Sequence, residues 1–319
     1  MVNSWQNFTP WAFWNHFIWA PQAKNLRIKN KKVLITGGNG GIGRQTALAC
    51  AREGASKVVI CARNETTGNS TVEEMKKLSF NGDAEFAFVK LDLGDQEQTK
   101  RVAEDLSKDC DFDVVILNAG VLNKTKKVTK DGFEAMFGIN HLGHHTFLLT
   151  YLNNKTTKTQ FPKRVVTLGS IGHVCKDLPF QADRGMNFDD LNFEKTEYNV
   201  GWAYGQSKLG PMLFAKSLSE KFPEMRVNTM HPGWVRTELF TRDMKMKAFN
   251  WFLRSPENGC QTILHLGFSE DVKQSGKYWE NCTTSESNLT KFGKSTEQRV
   301  RLWEKSVEMT GVDIDERFR

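Results

Sequence analysis

The sequence predicts a single α/β domain built on a doubly wound, mainly parallel sheet, and three observations carry that expectation. Short continuous apolar runs alternate with helix-like segments from residue 32 to about 240. The first of those runs ends directly in a glycine-rich turn, Gly37-x-x-x-Gly41-x-Gly43. No Pro/Ser/Gly-rich linker, low-complexity block or fixed-period repeat divides the 319 residues.

Taken in order, Val33-Leu-Ile35 is the first strand, and Arg44 to Arg52 reads as a helix leaving the turn. Lys57-Val-Val-Ile-Cys-Ala62 is the second strand, Thr71 to Leu78 a helix, and Glu85 to Leu91 the third strand, running into Asp92-Leu93. Asp113-Val-Val-Ile-Leu117 leads into Asn118-Ala-Gly120, and Phe133 to Leu152 is a long helical stretch. Lys163 to Leu168 is another buried strand, Tyr204 to Lys221 another helix, and Met225 to Met230 a last strand ending at His231-Pro-Gly233. Continuous apolar strands separated by helices suit a sheet covered on both faces, with ligands at the carboxyl ends of its strands.

Composition narrows the function classes. Hydrophobic content of 39% and charged content of 25% describe a globular chain with a substantial core. The net charge of +7 does not point to nucleic acid, because the cations are interleaved with 37 acids; only Lys24 to Lys32 is a basic run free of acids. Six scattered cysteines without Cys-x-x-Cys spacing read as reduced thiols in a cytosol-facing protein that is not secreted. The pattern predicts an aromatic arm with a basic flank over residues 1–30, ahead of the α/β domain over 31–319. The first 23 residues carry no charge but hold Trp5, Phe8, Trp11, Phe13, Trp14, Phe17 and Trp19. This arm is too short in apolar residues to span a bilayer and lacks the marks of a signal peptide. Peripheral attachment of residues 1–32 to an intracellular membrane and packing of the arm on the protein or a second copy both stay open; cosedimentation with liposomes, with and without residues 1–23, separates them.

The chemistry rests on a few positions. The turn containing Gly37, Asn39, Gly41, Ile42 and Gly43 presents backbone N–H groups and a helix N-terminus to a pyrophosphate. Where an acidic residue would hold a ribose 2′-hydroxyl, at the end of the second strand, the sequence has Arg63. With Arg44 opening the first helix, this points to a 2′-phosphate and so to NADP(H). Tyr204 and Lys208 stand four apart, on one face of a helix. A phenol with pKa about 10 carries protons poorly at neutral pH, and a fixed cation beside it favours the phenolate.

Thr36-Gly-x-x-x-Gly-x-Gly43, Asp92-Leu93, Asn118-Ala-Gly120, Asn140, Ser170, Tyr204-x-x-x-Lys208 and His231-Pro-Gly233 fall in the order seen in short-chain dehydrogenases/reductases, which have a Rossmann-like fold. Thr129-Lys-Asp-Gly-Phe-Glu, Asn140-His-Leu-Gly-His, Ser207-Lys-Leu, Gly276-Lys-Tyr-Trp and Arg301-Leu-Trp resemble the retinol dehydrogenase group, which includes the prostate-type microsomal reductases. The resemblance implies that Asp92 and Leu93 border the adenine, Asn118, Ala119 and Gly120 the adenine ribose, and Pro232, Gly233 and Thr237 the nicotinamide. It implies that Ser170 holds the substrate oxygen, that Tyr204 delivers its proton, and that Lys208 binds the nicotinamide ribose while lowering the phenol pKa. Asn140 would anchor a water linking Lys208 to solvent. The implied activity is NADP(H)-dependent interconversion of a lipophilic, retinoid-like alcohol and its aldehyde or ketone. A non-catalytic dinucleotide-binding regulator on the same fold is the alternative, but it would need neither Tyr204 nor Lys208.

Two departures from the family pattern matter. The stretch between Ser170 and Tyr204 is long, so its loop should roof the substrate pocket, with Phe180, Met186, Phe188, Phe193 and Trp202 as candidate lining. Pro211 falls inside the helix carrying Tyr204 and Lys208, where a kink is expected. His141, His144 and His145 have no acid or cysteine at metal-ligand spacing, so no metal site is expected.

Overall fold

The computed structural model describes residues 20–174, 185–236 and 253–318; the aromatic arm to Trp19, Phe180 and Thr237 lie outside them. The strands are β1 (Lys32–Thr36), β2 (Lys57–Ala62), β3 (Glu85–Lys90), β4 (Val114–Leu117), β5 (Arg164–Leu168), β6 (Arg226–His231), β7 (Tyr278–Glu280) and β8 (Thr283–Thr284). They form one sheet in the order β3-β2-β1-β4-β5-β6-β7-β8, parallel throughout except for the β7–β8 pair. The order reverses between β1 and β4, which opens a crevice at their carboxyl ends.

Helices α1 (Gly41–Arg52), α2 (Glu65–Leu78) and α3 (Gln96–Asp109) follow β1, β2 and β3. After β4 come α4 (Ala135–Phe137), a π-helical turn (Gly138–Leu142) and α5 (Gly143–Asn153); α6 (Val200–Lys221) precedes β6. Beyond β6 are α7 (Pro256–Gly259), α8 (Gln261–Phe268), α9 (Lys291–Lys294) and α10 (Thr296–Thr310).

Strand alternation sends Val33, Ile35, Val58, Ile60, Val114 and Ile116 to one buried layer. Leu34, Val59, Val115 and Leu117 go to the other, against α3, α5 and α6. Truncating such a side chain to alanine costs about 2–5 kcal/mol.

Several boundaries differ from the sequence expectation for local reasons. Helix α2 starts at Glu65 because the Asn64 side chain accepts the Thr67 N–H. Helix α3 was not expected: its surface is mostly charged, and the Asp95 cap, bonded to Gln98 N, is its clearest signal. The stretch from Phe133 becomes helical only at Ala135, where the Glu134 carboxylate accepts from Met136 N and Phe137 N. Residues 25–30 belong to the packed body, since Ile28 is buried and Arg27 N bonds Phe268 O.

The expected kink at Pro211 does not interrupt α6, which continues from Val200 to Lys221. The proline is buried mid-helix, and its carbonyl accepts the Thr167 hydroxyl of β5 at 3.1 Å, tying the helix to the sheet. No described helix is long and apolar enough to cross a membrane.

Candidate active site

The glycine turn forms where β1 ends. Gly37 has φ +67°, and a Cβ there would stand 2.8 Å from Ala119 Cα; a Cβ on Gly43 would stand 2.3 Å from the Gly37 carbonyl oxygen. Both positions therefore require glycine. Gly40 precedes α1 with no side-chain cap, and the first turn of α1 has no acid. Its N–H groups and the positive end of its dipole stay available to an anion, so the cradle fits a dinucleotide pyrophosphate. Asn118 supports the turn by donating from Nδ2 to the carbonyls of Thr36 (2.9 Å) and Gly37 (3.2 Å). Asn39 donates to Thr67 Oγ1, while the Ile42 side chain turns into the core.

Beyond this turn lies a cavity of about 440 Å³, lined by Arg63, Lys90, Asp92, Thr129, Lys130 and Ile139 among others. Arg63 is exposed at its rim, and Lys130 is paired with Asp95 at 2.7 Å. Arg44, expected beside Arg63, forms an ion pair with Glu74 of α2 instead, so the two arginines do not act as one cluster. The Leu93 side chain is buried in the core, and its carbonyl packs against Gly143. Asp92 does line the cavity, with Oδ1 accepting Gly94 N.

The four candidate catalytic residues converge across two glycines. A Cβ on Gly172 would stand 2.8 Å from Tyr204 Cε1 and 3.2 Å from Ser170 Oγ; one on Gly120 would stand 3.2 Å from both Lys208 Nζ and Asn140 Oδ1. Helix α6 presents Tyr204 and Lys208 on one face, started by Asn199, which accepts Trp202 N at 2.9 Å. Lys208 is buried, with Nζ donating to Leu168 O at 3.4 Å, and burial pulls its ammonium down to about 8. Ser170 Oγ accepts Gly172 N at 3.0 Å.

Asn140 sits in the π-helical turn, and its side chain makes three hydrogen bonds. Oδ1 accepts Val121 N (2.7 Å), and Nδ2 donates to Val121 O (3.0 Å) and to Ser207 Oγ (2.9 Å). Oδ1 keeps a second lone pair on the side where it stands with Lys208 Nζ at the Gly120 edge. Ser207 passes the contact on by donating to Tyr204 O at 2.8 Å. In the sequence Ser207 stands out only as part of Ser207-Lys-Leu, and its place one residue before Lys208 is the available signal of this contact.

The loop before α6 divides its aromatic residues. Met186 and Phe188 are core, packed with Phe137, Leu142 and Leu209. Phe193 and Trp202, with Tyr198, Val121 and Leu122, form an apolar wall beside Tyr204. On the other flank, Pro232 O accepts Arg254 Nη1 at 3.1 Å, and Gly233, with φ +85°, lies directly on the buried Arg254 guanidinium. Nothing in the sequence distinguished Arg254 from a solvated arginine.

The family model described as short chain dehydrogenase matches residues 31–174. Retinol dehydrogenase 12 of Mus musculus is 37% identical over 297 residues, covering 90% of this chain and 89% of that protein. Retinol dehydrogenase 13 of Homo sapiens is 33% identical, covering 90% and 86%. Among solved structures, a protein from Mycobacterium paratuberculosis superposes with a TM-score of 0.73 at 26% identity, covering 93% of this chain and 100% of its own.

Proposed function

Because this chain belongs to the short-chain dehydrogenase family and resembles its retinol dehydrogenases, we propose that it is an NADP(H)-dependent oxidoreductase interconverting a lipophilic, retinoid-like alcohol and its aldehyde or ketone. The observation that carries this reading is the convergence of Tyr204 with Ser170 at Gly172, and of Lys208 with Asn140 at Gly120. Gly37, Gly41, Gly43 and the start of α1 would hold the pyrophosphate. Asp92 and Arg63 would hold the adenosine end, and Lys208, Pro232 and Gly233 the nicotinamide end. Bound along this edge, the nicotinamide dinucleotide supplies the hydride, or accepts it in the opposite direction.

Ser170 and Tyr204 place two donors on one substrate oxygen, where negative charge grows during reduction. Tyr204 gives its proton to that oxygen, and the Lys208 cation favours the resulting phenolate. Phe193, Tyr198 and Trp202 supply an apolar face beside the reacting carbon, which suits a lipophilic substrate. Tyr204→Phe keeps the ring and removes the acid. It should lower kcat for retinal reduction with NADPH by about 10²–10⁴. Unchanged turnover would refute the role.

Arg63 supplies the 2′-phosphate contact in this reading, with Lys90 as a second cation of the cavity, since Lys130 is paired with Asp95 and Arg44 with Glu74. Arg63→Ala should weaken NADPH by about 10- to 100-fold, the range for a charge-assisted hydrogen bond, and leave NADH nearly unchanged. Parallel titrations of both cofactors decide it: an unaltered NADPH preference removes the argument for the 2′-phosphate.

A further inference from the structure

His144 lies one helical turn after Asn140 and bridges two parts of the site that are far apart in the sequence. Its Nε2 is 2.9 Å from Thr36 Oγ1, and its Nδ1 is 3.2 Å from the Asn140 carbonyl oxygen. The Thr36 hydroxyl already accepts the N–H groups of Asn118 (2.9 Å) and Ala119 (3.1 Å). With both lone pairs used, its proton goes to His144 Nε2, which must therefore be unprotonated. At the other end the Asn140 carbonyl only accepts, so Nδ1 carries the hydrogen. Two independent partners thus select the same neutral tautomer.

Resting on the functional reading above, we infer that His144 is a positioning residue for the reaction: its ring ties the dinucleotide edge at Thr36, Asn118 and Ala119 to the main chain of Asn140, whose side-chain oxygen stands with Lys208 Nζ at Gly120. The charged groups around it fit a neutral ring. Lys208 faces it from α6, while His141 and His145 flank it on its own helical segment. Burial, with Lys208 adding to it, pulls the His144 ring down to about 4. Asn140 Oδ1 stands with Lys208 Nζ at the Gly120 edge, and His144 holds the main chain of the same residue through its carbonyl.

The test has two parts. Nitrogen-15 NMR of histidine-labelled protein, with and without NADP, should show His144 protonated at Nδ1 and bare at Nε2 from about pH 9 to 5.5. An Nε2-protonated ring, or one that charges above about pH 6, overturns the assignment. In kinetics, His144→Asn keeps an N–H near the Nδ1 position and should hold kcat within about threefold. His144→Leu should lower kcat by about tenfold or more, with KM within about threefold, and should move the alkaline limb of the kcat–pH profile. A Leu variant with wild-type kcat and the same limb overturns the role, as does an equal loss in both variants that merely follows their Tm. Wild-type protein inactive toward every carbonyl tested would overturn the functional reading as well. A silent Leu variant of an active wild type would overturn only this role.

Discussion

Lys208 shows how one residue is shaped by competing demands. It must reach the Tyr204 face and the Gly120 edge together, so its ammonium is held where water is scarce, and burial lowers it to about 8 from 10.5. The folded state then binds fewer protons at this site than the unfolded chain between those two values. Stability should accordingly rise with pH across about pH 8 to 10.5, while below about pH 8 the protein carries the full cost of a buried ammonium. Urea unfolding of cofactor-free wild type and Lys208→Met should show this rise only in the wild type. Two curves of equal slope would mean that the lysine stays charged throughout. The same residue-level logic separates Arg63 from Arg44, two arginines that look alike in sequence. One remains at a cavity rim, and the other meets Glu74 on the neighbouring helix.

The segment between residue 185 and α6 behaves as an element in its own right. Asp190 organises it: the carboxylate accepts Glu194 N, Lys195 N, Thr196 N and the Thr196 hydroxyl. Gln206 clamps it to α6 through Leu191 O, and Gln298 reaches it from α10 through Met186 N. Burial opposes ionisation of Asp190, but the four donors outweigh it and hold the carboxyl down at about 2. Its contribution is therefore present above the ordinary value of 3.8 and fades as the pH falls toward 2. Asp190→Asn should cost about 1–2 kcal/mol and speed amide exchange at residues 194–196 near pH 6. Wild-type exchange rates in the variant would show that the loop is held by its apolar contacts alone. Within α6 the buried proline is accommodated because that helix is packed on the sheet and on α10, so the tertiary setting overrides a local helix breaker.

At the scale of the whole molecule, the sheet and the candidate catalytic residues are legible because both are written in local patterns. Val33-Leu-Ile35 and Val114-Val-Ile-Leu117 are unbroken apolar runs, and Tyr204 and Lys208 have helical spacing. What stayed hidden depends on partners far along the chain: Arg254 under Gly233, Glu74 against Arg44, and Thr36 against His144. The π-helical turn at Asn140 was hidden for another reason, since its residues are equally compatible with an ordinary helix. The parallel sheet also has a consequence in time. Among the described strands none but the short β7–β8 pair at the far edge is a hairpin: Val33 must find Val58, then Val114, while Val165 must find Val227. Each pairing closes a long loop before the sheet gives anything back, which makes assembly slow. Until β4 docks, the apolar run Val114 to Leu117 is open to solvent and to neighbouring chains, which makes that central strand a place for misassociation during synthesis.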